Sequence, residues 1–109
     1  MLSRLLAGIG AARRIERLAT DIAIRTRQAV HERLGAQVTH MTPSEVAGYV
    51  RARAAAVVQP AVEQALAHQG CLPSWGPAAL RAQTTDTVVL LVSRDVAHQR
   101  WKQPARRAA

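Results

Sequence analysis

Residues 42–45 read Thr-Pro-Ser-Glu, and this tetrapeptide sets a helix boundary near the middle of the chain. Thr42 offers a side-chain oxygen to the first free backbone N–H groups. Pro43 has the fixed φ and the missing donor that suit a first helical position, and Glu45 is spaced to reach back to the cap's own N–H. A helix is predicted over about 43–69. Val46, Val50, Ala54, Val57 and Ala61 fall on one side of it, and their small side chains let a neighbouring helix approach closely. Val46, Val50, Ala54 and Val57 are therefore expected to form its packing interface. Pro60 removes one donor and clashes with the carbonyl of Ala56, so a kink or restart is expected there.

The partner in this expected hairpin precedes it. Ile15, Leu18, Ile22 and Ala29 share a side, which predicts a helix over about 11–34, with Gly35 as its stop. Leu2, Leu5, Leu6 and Ile9 form a second stripe, rotated about 140° from the first on a helical wheel. Gly8 and Gly10 stand between the two and are poor helix formers, so residues 1–10 are expected to dock as a separate turn. Arg17, Asp21 and Arg25 are at successive four-residue spacings, and Asp21 can pair with either neighbour.

The C-terminal third offers two alternatives. Residues 71–77 have the composition of a fixed connector, expected to be pinned by burying Trp75, and Pro77 can start a short helix through Arg81. Thr87–Val92 is a strand by composition. Val88, Leu91, Val92 and Val96 also share one side of a helix starting at Thr85 or Asp86. A single strand finds no partner in an otherwise helical chain, so helix is favoured. Pro104 is expected to end this element and leave 104–109 as a basic tail. The fold class is mainly α: a small helical hairpin with a C-terminal helix or strand-plus-helix, forming one domain over 11–103.

Charge then bears on function. Fifteen Lys plus Arg stand against seven Asp plus Glu, a net +8, and Lys102 is the only lysine. G+C-rich coding would enrich Ala, Arg, Gly and Pro together and is the expected main cause of this composition. Arginine nevertheless pairs well with phosphate and carboxylate. Residues 1–34 and 70–109 each carry +4, whereas 43–69 is neutral. The ends are thus the expected contacts, through Arg4, Arg13, Arg14, Arg17, Arg100, Lys102, Arg106 and Arg107. Only three residues are aromatic and none is Phe, so the interleaved rings of a single-strand binder are missing. Trp101, between Arg100 and Lys102, is the one stacking candidate and serves equally well to cover apolar surface. A helix-turn-helix at Gly70 fails because its reading helix would contain Pro73, Gly76 and Pro77.

Signals for chemistry are thin. Ser93, Asp95 and His98 are the residue types of a hydrolytic triad, but Asp95 and His98 are near neighbours on one helix and no oxyanion loop accompanies them. His68 and Cys71 offer only two metal ligands, and Gly8-Ile9-Gly10 lacks the strand and third glycine of a dinucleotide loop. No catalytic residue, metal or cofactor is expected. Cys71 is the single cysteine, which points to an intracellular setting, mitochondrial or bacterial cytoplasmic. The N-terminal segment, amphipathic and rich in Arg with only Glu16 as an acid, has the look of a mitochondrial targeting sequence. It also suits an anionic membrane surface, although the rotated stripe counts against that. The expected function is a noncatalytic accessory subunit of a larger assembly, with other protein subunits as partners and oligomers admitted. The alternative is a small nonspecific RNA- or DNA-binding protein.

Overall fold

The computed structural model describes the backbone of residues 2–69 and 72–108 and the side chains of residues 8–69 and 72–99. It is mainly α: helix α1 spans Leu2–Glu32, a 3₁₀ turn spans Ala36–His40, α2 spans Pro43–His68 and α3 spans Gly76–Ala108. No strand occurs among the described residues.

The capping box forms as the tetrapeptide requires. Glu45 N donates to Thr42 Oγ1 at 3.3 Å, and Thr42 N donates to Glu45 Oε1 at 3.1 Å. These bonds favour the ionised carboxylate and hold the Glu45 pKa below its ordinary value. Thr42→Ala removes one half of the box and should lower the unfolding free energy by about 1 kcal/mol in urea titrations. An unchanged midpoint would sink this account of the boundary.

Along α2 the buried positions are Val46, Val50, Ala54, Val58 and Val62, a strict four-residue ridge. The expected Val57 and Ala61 are only half-buried. The physical reason is that α2 meets two helices, so its apolar side is broader than one stripe and Val57 and Ala61 lie on its flank. The helix continues through Pro60 without restarting. Pro60 and Ala56 are both exposed, so the carbonyl deprived of its donor faces solvent.

Helix α1 also departs from its expected bounds, starting at Leu2 instead of residue 11 and running unbroken through Gly8 and Gly10. Both glycines are exposed, with open space where a Cβ would stand. Their cost is one of propensity alone, which a long helix absorbs. The buried face is Ile15, Ala19, Ile22, Ala23, Thr26 and Val30, with Leu18 and Ala29 at its edge. Gly35 does not take the left-handed conformation of a helix stop; its φ of −82° and ψ of 164° are extended and lead into the 3₁₀ turn. Its amide instead donates to the Tyr49 hydroxyl at 2.9 Å, fastening the turn to α2. The Arg53 guanidinium lies 5.1 Å from the centre of the same ring.

One helix, α3, replaces the two elements expected after Pro77 and includes residues 87–92. Two forces overrule the strand composition. The hydroxyls of Thr84, Thr85 and Thr87 donate to the carbonyls of Leu80, Arg81 and Gln83 at 2.7, 2.9 and 2.8 Å, so the helix itself satisfies the polar cluster. Leu80, Val88, Val89, Val92 and Val96 are buried against α1 and α2, a gain that outweighs local preference. The helical backbone also passes Pro104 to Ala108, so the expected tail up to that residue extends α3. A proline there removes a single donor, leaving the other helical bonds available. Trp75 is not buried: it is 45% exposed. Gly76 pins the connector in its place. A Cβ on Gly76 would stand 3.0 Å from Leu72 Cβ and 3.6 Å from Ile15 Cδ1, so the backbone packs directly on apolar side chains.

The contacts of Gly76 with Ile15, and of Asp95 with Arg27 and His31, show that α1 and α3 run parallel. Tyr49 beside Gly35, and Ala61 and Ala65 beside Ile22 and Thr26, set α2 antiparallel to both. Helix α3 packs more extensively on each neighbour than those neighbours pack on each other. The central element is therefore α3, not α2 as the hairpin reading expects, because the apolar run at 88–92 presents flanks to two helices. The molecule is a rod of 63 × 26 × 19 Å. No helix among the described residues is long and apolar enough to cross a membrane.

Candidate functional site

The parallel run of α1 and α3 decides where the basic residues lie. The buried face of α1 begins, among the described residues, at Ile15, so residues 2–14 extend the helix beyond it by about 20 Å. The buried face of α3 reaches, among the described residues, to Val96, and its backbone continues to Ala108 at the opposite end of the rod. Arg13, Arg14 and Arg17 are exposed on α1. The backbone of residues 100–107 extends the far end of α3, so Arg100, Lys102, Arg106 and Arg107 belong to that end. The side chains of those four, and of Arg4, lie outside the described residues. The eight expected contact residues thus fall into two groups at opposite ends. Of the two candidate partners for Asp21, the structure selects Arg25, an exposed i,i+4 pair.

The most polar constellation lies between the end of α1, the 3₁₀ turn and α3, in a cleft of about 710 Å³. Arg27 and His31 are one turn apart on α1, and both reach Asp95 on α3. Arg27 Nε donates to Asp95 Oδ2 at 2.6 Å, Arg27 Nη2 donates to Oδ1, and His31 Nε2 stands 2.7 Å from Oδ2. The forked guanidinium matches the carboxylate geometry. The Arg27 bond is the main cause that holds the Asp95 pKa below the usual carboxylate range; partial burial opposes it and His31 assists. Asp95 in turn raises the Arg27 pKa.

This geometry describes a clamp between two parallel helices. The Asp95 carboxylate is occupied by Arg27, the Ser93 Oγ is buried without a hydrogen-bond partner, and His98 is exposed. The three triad residue types are therefore not joined, since a nucleophile must touch its base. No protein-family model, curated protein or solved structure matches this chain. Its candidate site is read from geometry alone. His68 Nδ1 lies 2.8 Å from the Gln64 carbonyl, a bond within α2, and Cys71 lies outside the described residues. Among the described residues, no three His, Cys, Asp or Glu side chains are placed to hold a metal.

Neither Arg27 nor His31 stands out in the sequence as a site residue. The four-residue spacing of Arg27 and His31 was a legible hint of a shared partner, but Asp95 lies more than sixty residues away and only packing brings it there. Asp95→Ala should lower the thermal midpoint by about 5 °C, the shift that roughly 1 kcal/mol produces in a domain of this size. The pH dependence follows in sign. With the folded Asp95 pKa depressed, its contribution is fully present above the ordinary carboxylate value and is lost as pH falls through the lowered one. Subtracting the Asp95→Ala stability profile from that of wild type should give a difference that collapses as pH falls below about 4.

Proposed function

We propose that this chain is a noncatalytic, basic accessory subunit that attaches to a larger assembly, mitochondrial or bacterial, through its two ends. The observation that carries this reading is the extension of α1 and α3 past their last described buried residues at opposite ends of the rod. Arg13 and Arg14 are exposed on one extension, and Arg17 is exposed just beyond Ile15 at the same end. A rod with basic tips suits bridging acidic surfaces better than gripping one compact ligand. A net charge of +8 also speeds encounter with such surfaces and makes it salt-dependent.

Gentle purification of the tagged chain tests the proposal. A stoichiometric protein partner should be retained at low salt. It should be lost from R13Q/R14Q/R17Q or from R100Q/K102Q/R106Q/R107Q while the fold, read by circular dichroism, persists. A partner-free monomer at low salt would defeat this reading. Nonspecific DNA or RNA binding that falls steeply with salt, in the absence of any protein partner, would favour a small nucleic-acid-binding protein instead.

A further inference from the structure

The overhang of α1 has chemistry of its own. Helical spacing places Leu2, Leu5, Leu6 and Ile9 within an arc of roughly 100°, and the centre of that arc is turned roughly 100° from the face carrying Ile15, Ala19, Ile22, Ala23, Thr26 and Val30. As a sequence pattern the rotation looks like a break between two segments. In the structure it separates two uses of one unbroken helix: the later face is spent on the bundle, and the earlier one belongs to backbone that projects beyond it. Ile9, the member of that arc with a described side chain, is 53% exposed, and Gly8, Gly10 and Ala12 beside it are exposed as well. Arg13 and Arg17, both exposed, follow Ile9 along the same side of the helix. No Asp or Glu occurs before Glu16.

We propose that this N-terminal overhang docks on an anionic lipid surface, lying in the interface with its apolar arc in the acyl boundary and Arg13 on the headgroups, joined there by Arg17 from the adjoining turn of the helix. The apolar arc itself is free of acids and is followed by Arg13 and Arg17, with the exposed Glu16 between them. The stretch through Arg17 thus keeps a net positive charge that suits a negatively charged interface beside its apolar chemistry. A nucleic acid would use the arginines but not the apolar arc. The bundle need not open, because the described residues of the overhang, 8–14, are largely exposed already. The inference rests on the reading that the basic ends are attachment surfaces, and it names the surface for one of them.

The test is co-flotation of the full chain with vesicles of phosphatidylcholine alone and of phosphatidylcholine mixed with phosphatidylglycerol. Binding is expected to the mixed vesicles only, weakening with salt. Both L5Q/L6Q, which keeps the charge, and R13Q/R17Q, which keeps the apolar arc, should reduce partitioning roughly tenfold or more. Absence of binding to the anionic vesicles would overturn the proposal. So would L5Q/L6Q partitioning like wild type, because attraction would then be electrostatic alone. If L5Q/L6Q lowers the melting midpoint, R13Q/R17Q decides, since those side chains are exposed. Retention of a protein partner without vesicle binding would overturn the lipid assignment and leave the subunit reading standing; loss of both would overturn both.

Discussion

Val88→Asp should unfold this protein or cost it at least about 3 kcal/mol, while Leu90→Asp two residues away should leave stability within about 1 kcal/mol of wild type. Val88 is fully buried between helices, and a carboxylate there has no partner among the apolar residues packed in the core. Leu90 is 54% exposed on the outer side of α3, where an added charge stays hydrated. The pair is diagnostic because residues 88, 90 and 92 share a face in a strand but not in a helix. Denaturant titration followed by far-UV circular dichroism gives both free energies. Equal losses at the two positions would mean that this segment is not the helix described.

A second contrast tests how α2 meets its neighbours. Val58→Asp should cost about 3 kcal/mol or more, a large share of the 5–15 kcal/mol that stabilises a domain of this kind. Val57→Asp should cost roughly 1 kcal/mol. Val58 is 2% exposed on the ridge that runs from Val46 to Val62, whereas Val57 lies half-buried on its flank. Both residues are valine and adjacent, so propensity and composition cancel in the comparison, leaving burial as the difference. A reversal of the two costs would restore the stripe through Val57 and place the partner helices on the other side of α2.

What was legible in the residues was local. The capping box at Thr42, the existence of two helices before residue 70, and the mainly α class all follow from signals spanning a few turns, where side-chain chemistry and backbone bonding act between near neighbours. Illegible features depended on what stands opposite. Gly8 and Gly10 suggest a break that does not occur, because their cost is small against a helix that packs over its later half. Trp75 suggests the anchor of the connector, yet the anchor is Gly76, whose lack of a side chain has value only because Leu72 and Ile15 close upon it. The candidate site divides in the same way. Arginine counts place charge at the two ends of the sequence, but that these are also the two ends of a rod follows from the parallel run of α1 and α3.

The sequence by itself determined that the chain is helical, where α2 begins, and that cationic charge concentrates outside its middle segment, since each rests on propensity, capping or composition. Only the tertiary structure decided that residues 87–92 are helical and that α3 is the central element. It also brought Arg27 and His31 to Asp95, across more than sixty residues of chain. The physical reason is that a short apolar run has nearly equal local preferences for strand and helix, and a lone carboxylate has no local mark of its partner. Burial between α1 and α2 breaks the first tie, and the clamp exists only once that packing has set the two helices side by side.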